Sequence, residues 1–205
     1  MKSFRLFSVV AAVFIVAGLT VNVSLAGKEK GKKEAGHEYS KEQMAAWQEA
    51  ISPGSHHKQL KHLVGEWDTK VTMWEEPGTE GMSSQGKAKC EMVLGGRFVV
   101  QHMTGEMMGM PFEGMGMVGY DKATKKHTSV WMDNQGTQMM YTEGECENHC
   151  KMETHHGSFT GPPGHERKFR MLTNIVDENK HTMEMYLVGE DGKEFKHMEV
   201  VYTRS

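Results

Sequence analysis

From Gly65 to the end, the chain runs in short segments of alternating apolar and polar residues, parted by turn residues at intervals of roughly 8 to 14, with no long helical segment between them. Ten strands are predicted, near Glu66–Trp74, Gly86–Leu94, Arg97–Thr104, Phe112–Tyr120, Lys126–Asp133, Gln138–Glu143, Cys150–His156, Arg167–Val176, His181–Val188 and Glu194–Arg204. Pro77-Gly78, Gly95-Gly96, Gln135-Gly136 and Asp191-Gly192 supply the tight turns. Links this short join antiparallel strands, because a parallel pair needs a crossover of a dozen residues or more. A sheet of this size has two exposed edges unless it closes on itself. The reading is therefore an all-β fold, an antiparallel up-and-down barrel of about ten strands over residues 65–205, with a β-sandwich or flattened half-barrel as its rival.

Alternation also says which side chains line the interior. Met183, Met185 and Leu187 share one face of the ninth strand, and Phe169, Met171 and Ile175 share one face of the eighth. In the last strand Met198, Val200 and Tyr202 share a parity with Arg204, but Phe195 and Val201 are apolar too and lie on the other face, so its register stays open.

Ahead of the strands the chain changes character three times. Lys2 and Arg5 precede an apolar run from Leu6 to Leu19, and Ser24-Leu25-Ala26 offers the small residues of a signal-peptidase site. The run is short of the ~20 residues that span a bilayer, so residues 1–26 read as a secretory signal rather than a retained anchor. The mature protein is expected to be exported, periplasmic or extracellular. Residues 27–39 are mostly Lys, Glu and Gly and read as a disordered linker. Residues 40–64 read as a helical lead-in: Ser40 with Gln43 forms a capping-box pattern, Met44, Trp47 and Ile51 follow at helical spacing, and Leu60, Leu63 and Val64 suggest a further turn. The net charge is -3, from basic and acidic residues well interspersed, and no cationic face results that would hold a nucleic acid.

Leu63-Val64-Gly65-Glu66-Trp67, Leu94-Gly95-Gly96-Arg97-Phe98, Met110-Pro111-Phe112-Glu113-Gly114, Gly119-Tyr120-Asp121, Trp131-Met132-Asp133 and the ending Met198-Glu199-Val200-Val201-Tyr202-Thr203-Arg204 together resemble the bacterial domain-of-unknown-function family 1579, over about residues 55–205. That resemblance implies the fold and no activity. More loosely, the chain resembles lipocalins and other calycins, in which a helical turn leads into a Gly-x-Trp and a basic residue of the last strand stacks on that Trp. Gly65-Glu66-Trp67 and Arg204 match those roles, which are structural ones.

The chemical oddities are 19 methionines and 12 histidines. Six methionines lie between Met103 and Met117, with His102 beside them, so a thioether site for copper(I) is one reading. The other is that Met replaces Leu or Ile as a flexible filler, since the excess runs through the whole chain. Cys146 and Cys150 flank a predicted three-residue loop and are candidates for a disulfide. A metal site joining them to His149, His155 and His156 is disfavoured by the missing Cys-x-x-Cys pair and because adjacent histidines on a strand point to opposite faces. Cys90 reads as a buried free thiol, and His56, His57 and His62 as solvated residues of the lead-in. His181 and His197 lie in strands that could face a cavity, and heme binding through a histidine is an analogy drawn from the calycin resemblance.

No nucleophile elbow, zinc-protease helix or phosphate loop is present in the sequence, so an enzyme is disfavoured. Glu113, Asp133, Glu184 and Glu199 leave a hydrolase or isomerase with cavity carboxylates as one alternative, and copper or heme held by Met and His as another. The favoured expectation is non-covalent binding of a small apolar ligand in a Met-lined cavity formed by Met171, Met183, Met185, Met198 and Tyr202, with Trp131 at the mouth. No cofactor or oligomeric state is assigned.

Overall fold

The computed structural model describes residues 39–205 apart from 148–149, 162–163 and 190. The signal segment and all of the linker but Tyr39 lie outside the described residues. Residues Ser40–Ser205 form one unit. It opens with α1 (Lys41–Ile51), α2 (Ser55–Gln59) and a 3-10 turn, Leu60–Leu63. The strands follow as β1 (Gly65–Met73), β2 (Met82–Val93), β3 (Phe98–Met107), β4 (Met110–Asp121), β5 (Lys126–Asp133), β6 (Met140–Glu147), β7 (Met152–Gly161), β8 (His165–Asp177), β9 (Lys180–Val188) and β10 (Glu194–Arg204). Each pairs antiparallel with its neighbours in sequence, and β1 pairs with β10 to complete a closed barrel. Among the described residues no helix is long and apolar enough to cross a membrane.

The lead-in is held at both ends of α1. Ser40 Oγ accepts from the Gln43 N–H at 3.2 Å while Gln43 Oε1 accepts from the Ser40 N–H at 2.8 Å, the reciprocal cap expected from the sequence. At the C-terminus, Arg97 donates to the Ile51 carbonyl at 2.7 Å and Lys122 to the Ser52 carbonyl at 3.3 Å, cations placed where the helix dipole is negative. The 3-10 turn then seats Leu60, almost fully buried, among Trp67, Cys90 and Val99 at one end of the barrel.

The closing seam runs from Trp67↔Arg204 to Met73↔Met198, and its first pair carries a ring and a charge. Trp67 and Arg204 face each other across β1 and β10, and the guanidinium lies over the indole at 4.2 Å. The indole is 1% exposed and donates to the Leu63 carbonyl at 2.9 Å, while Arg204 donates to the carbonyls of Glu178 at 2.9 Å and Val64 at 3.3 Å. One side chain thus ties the lead-in, the β8–β9 turn and the first and last strands.

The open register of β10 is resolved by a bulge. Phe195 pairs with Leu187 and Met198 with Met185, so the pairing shifts between Lys196 and Met198. The extra residue changes the parity, and Phe195 and Met198 both pack beside the buried Phe169, Met185 and Leu187. His197 is the residue at the shift, and its Nδ1–H donates to the Trp74 carbonyl at 2.9 Å, which fastens the bulge to the end of β1. Cys90 is buried without a disulfide partner, and burial pushes its thiol up to about 12.

His181 lies under the closure pair, stacked on Tyr202 with ring centres 4.2 Å apart and edge-on to Trp67 at 4.4 Å. Burial first, and the nearby Arg204 cation second, push its imidazole down to about 4 from an ordinary 6.5. Between those values the unfolded chain binds a proton that the folded one refuses. Stability is therefore complete above about pH 6.5, declines as pH falls toward about 4 and levels off below, a change on the order of 3 kcal/mol from this residue. Urea unfolding at a series of pH values should show this slope, and His181→Phe should flatten it without abolishing it, because burial lowers His57 and His127 in the same direction. In the same assay at pH 7, Arg204→Ala should cost about 1–3 kcal/mol through the lost cation–π contact and the two carbonyls deprived of their donor.

Candidate functional site

The barrel encloses a cavity of about 350 Å³. All six residues singled out from the alternation, Met171, Met183, Met185, Met198, Tyr202 and Trp131, line it, joined by Met73, Met103 and Met140. The wall is predominantly apolar, and its sulfurs belong to unbranched side chains that repack around differently shaped guests. Trp131 crosses β4 at Gly114 and Gly116: a Cβ on Gly116 would sit 2.7 Å from the indole, and one on Gly114 would overlap it. The missing side chains are what let this ring lie flat along the wall. Its Nε1–H donates to Asp133 at 2.9 Å, which fixes the ring plane.

The wall has a polar corner around Glu153 and His155, a grouping the sequence reading did not make. Glu153 and His155 lie two apart on β7 and so share its inward face, and both line the cavity with Thr142 and Ser129. A Cβ on Gly144, opposite His155, would come within 2.6 Å of the imidazole, so glycine makes the room for this ring. Contacts run in series: Ser129 Oγ to Thr142 Oγ1 at 2.6 Å, Thr142 Oγ1 to His155 Nδ1 at 3.0 Å, and His155 Nε2 to Glu153 Oε2 at 3.3 Å. The other carboxylate oxygen lies 3.3 Å from Nδ1 of His127, which is 1% exposed. Burial holds the His127 imidazole below its ordinary value, opposed by the attraction of Glu153. The signal available in the sequence was the two-residue spacing of Glu153 and His155.

The structure places the alternatives that the sequence left open and corrects the reading of the lead-in histidines. The six methionines of residues 103–117 do not all gather at one place: Met103, Met107 and Met117 border the cavity, Met115 lies opposite His102 on the outer face, and Met108 sits exposed on the β3–β4 turn. Glu113 and Glu199 follow the outward parity of their strands, as does Glu184, and Lys196 bridges Glu184 and Glu199 at 2.9 and 3.1 Å. No pair of those carboxylates meets in the cavity, and Asp133 is occupied by Trp131. His57 is buried rather than solvated, its Nδ1 accepting from the Gly54 N–H at 3.0 Å, and His56 stacks on Tyr120 with centres 4.1 Å apart. Cys146 and Cys150 are joined as a disulfide. Of the histidines in the disfavoured metal reading, His149 lies outside the described residues, His155 is turned to Thr142 and Glu153, and His156 has the opposite strand parity. His56 and His127 stand there instead.

Among solved structures, the chain is similar to the crystal structure of Rv2717c from M. tuberculosis, with 13% identity, 75% of this chain and 99% of that one covered, and a TM-score of 0.54, a likeness of fold alone. It is also similar to a redesigned β-barrel, with 13% identity, 75% of this chain and 98% of that one covered, at a TM-score of 0.40. No curated protein matches in sequence. Residues 52–204, from the end of the first helix through the strand that closes the barrel, match the family described as "Protein of unknown function (DUF1579)", and the chain belongs to that family.

Proposed function

We propose that this protein binds a small, largely apolar molecule non-covalently inside the barrel, and that export delivers it to the periplasm or the cell exterior to do so. The observation that carries the reading is the cavity of about 350 Å³ with a methionine-rich apolar wall, which falls within the range of about 300–1,000 Å³ typical of small-molecule sites. A packed barrel of this size has no need of that volume, since interiors normally fill to the density of organic crystals. A guest hiding about 200 Å² of apolar surface gains roughly 5 kcal/mol from the transfer. Ordering the guest and the thioether side chains around it offsets part of that gain.

The polar corner supplies orientation. A guest carrying one hydroxyl, amine or amide at an end places it against Glu153, His155 and Thr142, while the rest of the molecule meets Met171, Met183, Met185 and Met198. Pockets of this kind derive affinity from the wall and selectivity from the few polar groups that a wrong guest leaves unpaired.

N-Phenyl-1-naphthylamine, an apolar amine whose fluorescence rises on leaving water, is the probe of choice. One saturable site per chain is expected. Met183→Trp, which fills the middle of the cavity at an overpacking cost of about 1–3 kcal/mol, should weaken binding at least about tenfold (a change of about 1.4 kcal/mol) while the circular dichroism of the barrel is kept. Absence of a saturable site, or equal binding by a folded Met183→Trp variant, contradicts the reading.

A further inference from the structure

At the end of the barrel covered by the lead-in, four side chains from separate segments converge. His56 comes from α2, His127 from β5, Cys146 from β6 and Cys150 from the turn before β7. One nitrogen or sulfur atom of each lies within 4.8 Å of all the others. His56 Nδ1 is 3.1 Å from His127 Nε2, 3.5 Å from Cys146 Sγ and 3.4 Å from Cys150 Sγ, and His127 Nε2 is 3.8 Å from Cys150 Sγ. A zinc ion bound tetrahedrally by two imidazoles and two thiolates sets its ligand atoms about 3.3 Å apart between nitrogens and about 3.6 Å apart between nitrogen and sulfur. These nitrogen–nitrogen and nitrogen–sulfur separations lie within about 0.2 Å of those edges, while the two sulfurs are bonded to each other and part when the disulfide is reduced.

The surroundings of the cluster are those of a metal site. Glu153 Oε1 lies 3.3 Å from Nδ1 of His127, so a carboxylate stands behind the ring whose Nε2 faces the cluster. Glu153 is itself steadied by His155. Tyr120 stacks on His56 within 6° of parallel and sets the plane of that ring. The cysteines are separated by three residues, within the spacing that metal-binding cysteine pairs use. His127 and Cys150 are buried while His56 and Cys146 are only partly so, which gives an ion a way in. Two thiolates balance a divalent charge, so the filled site is neutral, as its buried half requires.

We propose that His56, His127, Cys146 and Cys150 form a Cys2His2 zinc site that clips the lead-in to the barrel, with the disulfide and the zinc dithiolate as alternative states of one cysteine pair. Passage between them balances simply. A dithiol gives two electrons and two protons to the Cys146–Cys150 bond and becomes a disulfide itself, and the two cysteine thiols then release two protons as zinc enters. Because the clip lies outside the apolar cavity and acts on the lead-in, it stands whether or not the barrel holds a guest.

The test uses the full mature chain, reduced with a phosphine and then desalted without oxygen. One zinc per chain should survive desalting, and cobalt(II) in its place should show the intense visible bands of a tetrahedral ion with sulfur ligands. The unreduced protein should hold no zinc and show no such bands. His56→Ala, on a five-residue helix outside the sheet, and the double variant Cys146→Ser/Cys150→Ser should each lower zinc affinity by about 100-fold or more, and Glu153→Gln by about 10-fold. Circular dichroism of each variant confirms that the barrel is intact, and His56→Ala serves should the cysteine pair prove necessary for folding. Reduced wild-type protein without the tetrahedral cobalt spectrum, or zinc held equally by a folded His56→Ala variant, overturns the assignment.

Discussion

Everything inside this barrel depends on the meeting of β1 with β10. Ten strands in sequence order would leave two rows of unpaired amides and carbonyls, and here they satisfy each other from Trp67↔Arg204 to Met73↔Met198. The pair at the first register position also joins the sheet to what precedes it, since the indole donates to Leu63 and the guanidinium to Val64. Closure converts one face of a sheet into an interior, and only then do the inward parities of distant strands share a single space. The buried His181, held neutral beneath Arg204, marks how dry that end of the interior is.

Two packed clusters border the cavity. One cluster centres on Leu60, Trp67, Val99 and Tyr202, the other on Phe169, Met185 and Leu187, and Met183 and Met198 touch both. Glycines set where large rings enter: Gly114 and Gly116 admit Trp131, and Gly144 admits His155. Glu153 connects the two chemistries of the molecule. One of its oxygens serves the polar corner of the cavity through His155, and the other serves His127 and, through it, the cysteine cluster.

Much of this was legible from residue order because period-two alternation and turn residues are local signals. The strands over Lys126–Asp133 and Glu194–Arg204 appear with the expected bounds, and the others differ by a few residues at their ends. What alternation cannot carry is an inserted residue: the shift at His197 brings Phe195 to the same side as Met198, although their spacing places them on opposite faces of a regular strand. The cavity wall was readable for the same reason the strands were. The His–Cys cluster was not, because His56 and His127 are 71 residues apart and meet only after closure brings β5 and β6 beneath the lead-in. Spacing near the cysteines offered His155 only as a disfavoured partner, and its ring turns to Thr142 and Glu153.

The central claim is that an apolar guest sits among the inward methionines, and the methyl resonances of those residues report on it directly. With methyl-labelled methionine and N-phenyl-1-naphthylamine added stepwise, the signals of Met171, Met183, Met185 and Met198 should shift together and saturate at one equivalent. Met108 and Met139, 70% and 71% exposed, should stay in place. Shifts confined to the exposed methionines, or four interior signals that never move, would contradict the account.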